Sequence, residues 1–183
     1  MRIIAGALKG RRLVTPRGAT TRPTADQVRI ALMDTLMPRL AGARVLDLFA
    51  GAGGVGLEAL SRGAATATFV ERDARALAAL RANVAATGVG DQARPVRDDV
   101  FRALGHLARE GARFDVVFLD PPYETDLAGA TLQALADGAL LAPGAVVIAQ
   151  HFTKRAPALD PPWRVVRTRR FGETTLTYLE NAG

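Results

Sequence analysis

Short apolar runs alternate with stretches of helical spacing along most of the chain. Val45-Leu46-Asp47-Leu48-Phe49, Thr66 to Val70 and Phe114 to Leu119 are rich in β-branched and aromatic residues, as in strands buried on both faces. Ala93 to Val96 is a weaker strand, and Ala145 to Ala149 a fifth, expected to follow a turn at Pro143-Gly144. Between them lie helical patterns: Leu57 to Ser61, Leu77, Leu80 and Val84 between a cap at Asp73 and a stop at Gly88, Val100 to Glu110, and Leu127 to Leu135. Trp163 to Arg170 and Thr174 to Glu180 alternate around Gly172 and predict an antiparallel hairpin. Strand and helix in alternation give an α/β fold, a mostly parallel sheet with helices on both faces.

Ahead of this pattern, Arg2 to Leu8 and Gly10 to Val14 predict a small hairpin turning near Lys9-Gly10. Thr15 to Arg22 is a Pro/Gly/Thr-rich link. A helix then starts with Thr24 as N-cap and Gln27 completing a capping box. Val28, Ala31, Leu32, Thr35 and Leu36 form its packed face, and Pro38 is expected to end it. The division is therefore residues 1–38 as an extension and 39–183 as the main domain.

Charge sharpens that division. Residues 1–30 carry Arg2, Lys9, Arg11, Arg12, Arg17, Arg22 and Arg29 against Asp26 alone, so the formal net charge of +6 lies there and the remainder balances. A basic edge on a neutral domain is a footprint for phosphate. For Arg22 and Arg29, beside the helix, gripping phosphate and decorating a solvated face stay equally open. Absence of cysteine excludes disulfides and thiolate metal sites, and His106 and His151 are too far apart in sequence to suggest zinc. No apolar run approaches a membrane span and no signal-like segment opens the chain, which predicts a cytoplasmic protein.

Two stretches carry chemistry. Asp120 falls at the end of the fourth strand, where Pro121 and Pro122 forbid continuation and Tyr123 follows. Ligands of open α/β sheets bind outside the carboxyl ends of strands. A carboxylate, two carbonyls and an aromatic face at that rim suit a flat base bearing an amino group. The second stretch, Gly51-Ala52-Gly53-Gly54-Val55-Gly56, has the dinucleotide spacing, with Glu71 about 20 residues further on. An NAD-type oxidoreductase is thus one reading. Asp47, just before the first glycine, opposes a pyrophosphate but favours a cationic ligand. S-adenosylmethionine carries a sulfonium and an ammonium: Asp47 would hold its amino-acid portion and Glu71 its ribose hydroxyls. Asp99, with Asp98 as the alternative, would accept from the adenine amino group; capping of the next helix is the competing role for both.

Asp47-Leu48-Phe49-Ala50-Gly51-Ala52-Gly53-Gly54-Val55-Gly56 together with Asp120-Pro121-Pro122-Tyr123 resembles the class I methyltransferases that modify exocyclic amino groups. Arg2-Ile3-Ile4-Ala5-Gly6, Lys9-Gly10-Arg11-Arg12-Leu13, Arg22-Pro23-Thr24-Ala25-Asp26-Gln27-Val28-Arg29 and Arg170-Phe171-Gly172-Glu173-Thr174-Thr175-Leu176 are similar to the bacterial small-subunit (16S) ribosomal RNA guanine-N2 methyltransferases. The resemblance implies a Rossmann-like seven-stranded sheet and S-adenosylmethionine as cofactor. It implies methyl transfer to guanine N2 in 16S rRNA within assembled or assembling subunits; a monomer is expected. Asp120, Pro121, Pro122 and Tyr123 would be catalytic, with Tyr123 using its ring face and not its hydroxyl. Asp47, Phe49, Gly51, Gly53, Gly56, Glu71, Asp98 and Asp99 would bind the cofactor. Arg2, Lys9, Arg11, Arg12, Arg22 and Arg29 would bind RNA. Such proteins often carry an acid after the fifth strand, where this chain has Gln150-His151, and His151 is read as a loop histidine. A DNA adenine-N6 or cytosine-N4 methyltransferase shares the (Asn/Asp)-Pro-Pro-aromatic motif, but 183 residues leave little room for a target-recognition region. A non-enzymatic RNA-binding module explains the basic edge but neither of the two motifs.

Overall fold

Val45, Leu46, Leu48, Val116, Val117 and Leu119 are buried in the two strands at the centre of the molecule. Each such side chain contributes about 1.5–3 kcal/mol on leaving water, and this is what makes these runs strands. The computed structural model describes residues 1–16, 23–123 and 125–183, with Pro23 and Thr24 described by their backbone alone. Arg22 and most of the 15–22 link lie outside the described residues; helix α1 begins at Pro23, so Thr24 stands inside its first turn and not at the N-cap expected of it.

The elements run α1 (Pro23–Leu40), β1 (Arg44–Leu48), α2 (Gly54–Ser61), β2 (Thr66–Val70), α3 (Ala74–Thr87), β3 (Ala93–Val96), α4 (Val100–Arg109), β4 (Phe114–Leu119), α5 (Leu127–Leu135), β5 (Leu141–Phe152), β6 (Trp163–Phe171) and β7 (Thr174–Asn181). They build one seven-stranded sheet in the order β3-β2-β1-β4-β5-β7-β6. Pairing is parallel from β3 to β5 and antiparallel for β5–β7 and β7–β6. The strand order reverses between β1 and β4, so their carboxyl ends open a crevice at the switch point. Residues of α1, α2 and α3 pack on one face with Val45, Phe69 and Phe118. Residues of α4 and α5 pack on the other with Leu46, Leu48 and Leu119. The helix stripes explain this: α4 buries Val100, Ala103, Leu104 and Leu107, the i, i+3, i+4, i+7 set.

Several expectations are corrected. Helix α1 passes through Pro38 to Leu40. The lost N–H would have bonded to the carbonyl of Asp34, an exposed residue, while burial of Leu40 holds the last turn in place. Strand β5 begins before Pro143-Gly144 and runs on through His151. The prolyl interruption is absorbed where register jumps from Phe114↔Leu141 to Val116↔Val146, and pairing of His151 with Thr175 of β7 extends the far end. His151 is therefore a strand residue, buried, with Nε2 2.9 Å from Thr177 Oγ1. It is not a loop histidine.

The amino-terminal hairpin shrinks to one bridge, Arg2↔Arg12, with turns filling the residues between. Three backbone bonds still join its arms, from the N–H groups of Ile3 to Arg11 (3.0 Å), Gly10 to Ile3 (2.9 Å) and Leu13 to Met1 (2.9 Å), and helix side chains take up others. Glu58 of α2 accepts from the N–H groups of Ile4 (2.8 Å) and Ala5 (3.0 Å), Ser61 from Leu8 (2.9 Å), and Asn83 of α3 from Val14 (2.8 Å). Ile3 and Leu13 join the same core as Leu32 and Leu36 of α1. The segment is thus sewn to α2 and α3, and its outer side presents Arg2, Lys9, Arg11 and Arg12 to solvent.

Candidate active site

The chain leaves β1 at Phe49, whose φ of 62° is rare for a residue with a Cβ. The loop then turns at Gly51 and Gly53 into α2. Gly53 has φ 85°, and a Cβ there would strike Leu80; a Cβ on Gly56 would strike the ring of Phe69. These two glycines allow helix α2 to sit hard against the sheet. Gly51 instead lines a cavity, in company with Gly54 and Val55. Gly53 and Gly56, both expected to contact cofactor, shape the loop from inside.

Two cavities flank this loop. One, of about 390 Å³, is lined by Glu71, Asp98, Asp99, Phe101, Pro122 and Tyr123 among others. A second, of about 430 Å³, is lined by Asp47, Gly51, Gly54, Arg29 and Gln150 among others. Phe49 and Asp120 stand in the walls of both. Together they form a cleft along the carboxyl edge of the sheet, of a size that suits small-molecule ligands.

Asp47 lies on the α2 face of β1, 2% exposed, and its Oδ2 accepts the Gly56 N–H at 3.0 Å. Burial pushes its carboxyl up to about 7; the Gly56 bond opposes this, and the charges of Asp120 and Glu71 add to it. A carboxylate so poorly compensated is a site for a cation. Glu71, at the end of β2, uses Oε2 to accept from Gly51 N–H (2.8 Å) and Oε1 from Asp73 N–H (2.7 Å). Those bonds lock the carboxylate at the cavity wall with lone pairs to spare. Asp99 caps α4 by accepting from Phe101 N–H at 2.9 Å and also lines the cavity, so the two roles weighed for it coexist. Asp98 accepts the Asp99 N–H at 2.8 Å and pairs with Arg102 at 3.0 Å. Its charge is already engaged, which leaves Asp99 as the better partner for a base.

Asp120 ends β4 next to β5, whose register sets Leu119 against Ala149 and so brings Gln150 alongside. Gln150 Nε2 donates to the Tyr123 hydroxyl at 2.9 Å. Gln150 and Tyr123 beside it favour the charged form of Asp120, yet burial outweighs them and pushes its carboxyl up to about 7. Burial, followed by the charge of Asp120, pushes the Tyr123 hydroxyl up as well. The Tyr123 hydroxyl thus has a partner in Gln150. The Tyr123 ring also neighbours Phe152, with centroids 6.3 Å apart and planes at 34°. Gln150, noted in the sequence only as standing where related proteins often carry an acid, is brought beside Asp120 by strand register.

Arg29 departs furthest from expectation. It is 6% exposed and lies in the cavity wall, with Nη2 donating to the Arg2 carbonyl (2.8 Å) and to Asp26 (3.0 Å). A buried guanidinium cannot grip an RNA backbone. Arg2, Lys9, Arg11 and Arg12 are exposed and have no ion pair among the described residues.

Comparison with known proteins covers nearly all of the chain. The family model described as Conserved hypothetical protein 95 matches residues 1–180. Ribosomal RNA small subunit methyltransferase D of Escherichia coli K12 is 37% identical over 94% of this chain and 86% of its own. The protein of the same name from Haemophilus influenzae is 32% identical over 99% and 94%. Among solved structures, a hypothetical protein of Thermus thermophilus superposes with TM-score 0.81 at 38% identity, covering 97% of this chain and 98% of that one.

Proposed function

This chain belongs to the family described as Conserved hypothetical protein 95, and from that membership we propose that it methylates the exocyclic N2 of a guanine in 16S rRNA. It is an S-adenosylmethionine-dependent rRNA methyltransferase with a Rossmann-like fold. The observation that carries the choice of amino group is Asp120-Pro121-Pro122-Tyr123 at the carboxyl end of β4, in a wall shared by both cavities. The residues present fit the cofactor: a buried, undercompensated Asp47 for a cationic amino acid, Glu71 for vicinal hydroxyls and Asp99 for an amino group. Bound there, S-adenosylmethionine supplies a methyl group made electrophilic by its sulfonium.

The chain's own groups act on the base. The lone pair of N2 is delocalised into the guanine ring and makes a poor nucleophile. Asp120 and the Pro121 carbonyl accept its two N–H bonds, which directs the lone pair out of the ring plane. Tyr123 stacks on the base, and its hydroxyl, held by Gln150, steadies Asp120. Pro122 closes the strand so that no backbone N–H competes for those acceptors. Residues 1–38 form the face that meets RNA and 39–183 the methyltransferase domain, acting as a monomer on an assembling subunit in the cytoplasm.

The test is to incubate the protein with methyl-labelled S-adenosylmethionine and small subunits, free 16S RNA or duplex DNA, then digest to nucleosides. Label in N2-methylguanosine is expected; label in DNA would move the reading to the N6 or N4 class. Two further results follow from the geometry. Tyr123→Phe should lower kcat several-fold by freeing the Gln150 amide, and Tyr123→Ala by about 100-fold through loss of stacking as well. Equal effects would remove stacking from the account. Replacing Arg11 and Arg12 by alanine should reduce the slope of log K against log salt by about 0.7–0.9 for each phosphate no longer neutralised. An unchanged slope would place the RNA elsewhere.

A further inference from the structure

The balance of charge over residues 31–183 conceals a second basic tract. Between Phe152 and Gly172 stand Lys154, Arg155, Arg164, Arg167, Arg169 and Arg170 against Asp160, six basic groups to one acid and a formal net of +5. The sheet order puts this tract on the β5-β7-β6 side of Asp120, away from the amino-terminal cations that lie over α2 and α3. The rim at Asp120 therefore has a positive flank on either side.

Beside the rim the tract forms a groove of about 700 Å³, lined by Tyr123, Phe152, Lys154 and Arg155. It shares Tyr123 with the cleft that holds Asp120. Phe152 lies two residues beyond Gln150, on the same face of β5 as the amide that reaches the Tyr123 hydroxyl. The turn after Phe152 is tied down. Its Arg155 N–H donates to the Phe152 carbonyl (2.9 Å) and its Thr153 N–H to the Glu173 carbonyl (2.7 Å), while the Thr153 hydroxyl is 2.9 Å from Thr175 Oγ1. A backbone held in this way presents Lys154 and Arg155 to solvent, and neither has an ion pair among the described residues.

An aromatic face with two cations beside it is the combination that takes an unstacked nucleotide, the ring for its base and the cations for its phosphates. The rings of Tyr123 and Phe152 are 6.3 Å apart with planes at 34°. A base between two parallel rings takes about 6.8 Å, twice the rise of stacked bases. The two rings therefore serve successive bases and do not sandwich one. We propose that Phe152, Lys154 and Arg155 form the subsite for the nucleotide next to the target guanine, its base stacked on Phe152 and its phosphates met by Lys154 and Arg155. This role rests on the RNA reading given above. A guanine that leaves its stack strips its neighbour of a stacking partner, and the Phe152 ring replaces it. The subsite orders the strand without reading sequence, because every base has a face to stack.

The test measures equilibrium binding of small ribosomal subunits alongside methyl transfer to them. Phe152→Ala should weaken binding by about 5- to 100-fold, the range for one base–aromatic stack, and raise KM to match. Its kcat and its affinity for S-adenosylmethionine should stay within about twofold of wild type. Phe152→Trp should bind like wild type, whereas Phe152→Leu, which fills the space without a ring, should bind like the alanine variant. Replacing both Lys154 and Arg155 by alanine alters exposed positions alone. That double variant should lower the slope of log K against log salt by about 0.7 for each phosphate no longer neutralised. A Phe152→Leu protein that binds as wild type would reduce Phe152 to packing and overturn the proposal, as would an unchanged salt slope in the double variant. A wild-type protein that neither binds subunits nor methylates their RNA would instead overturn the RNA reading, and this subsite with it.

Discussion

Replacing Asp120 by alanine is expected to lower kcat by about 10²–10⁴-fold, the range typical of a positioned acid–base group, with S-adenosylmethionine affinity changed by less than about threefold. Asp120 is at the rim of both cavities, but the bonds assigned to the cofactor are made by other residues. Its substitution therefore removes an interaction with the reacting amino group and little else. The same carboxyl sets a pH profile. With Asp120 pushed up to about 7, the ionised acceptor is the minor form at pH 6 and the major form at pH 8. kcat should rise with pH through about 7 and then level. Asp120→Asn separates two ways of acting, since an amide oxygen can accept an N–H bond but cannot take a proton. If Asn keeps activity within about tenfold of wild type and flattens the profile, Asp120 works as an acceptor. Activity as low as that of Ala would mean it takes the proton. A strong loss of cofactor binding in Asp120→Ala would remove Asp120 from the catalytic role altogether.

Most of the framework was legible because the parallel strands are buried on both faces and so read as unbroken apolar runs. β1, β2 and β4 are of this kind, and caps at Asp73 and Asp99 and the stop at Gly88 fixed the helices between them. What escaped depends on distant partners. Nothing local tells Gln150 and His151 that β7 will pair with them, so a polar Gln-His pair looked like a loop. Pro143 looked like a turn because the bulge that accommodates it is a property of two strands. The amino-terminal segment alternates well enough to predict a hairpin, but only three backbone bonds join its arms, and Glu58, Ser61 and Asn83 take up further N–H groups. An acid inside the apolar run of α2 was the available signal. Arg29 also left one: it falls on the i, i+3, i+7 stripe with Leu32 and Leu36, the face that α1 buries.

Asp47→Asn is expected to make the cofactor-free protein more stable at pH 8 while weakening S-adenosylmethionine by about 10- to 100-fold. The two effects have one cause. In the unfolded chain Asp47 ionises near 3.8, and in the folded protein near 7. Between those values folding takes up a proton, so the contribution of Asp47 to stability is fullest below 3.8 and is lost as pH rises through about 7. Each pH unit of that interval is worth about 1.4 kcal/mol, less whatever relaxation and water entry recover. Asparagine carries no charge to bury, and its amide oxygen can still accept the Gly56 N–H that Asp47 accepts at 3.0 Å. The variant should therefore melt several degrees higher at pH 8, since about 1 kcal/mol moves Tm by roughly 2–4 °C in a domain of this size. The difference should vanish near pH 4, where both proteins are neutral at this position. Saturating S-adenosylmethionine should narrow it at pH 8, because the ammonium compensates the carboxylate in the wild type alone. A variant that melts lower at pH 8 would show the charge to be well solvated in place, and Asp47 would then be a structural acid holding α2. Higher stability with weaker cofactor binding would identify a residue kept at a cost to the fold because the ligand's positive charge needs it.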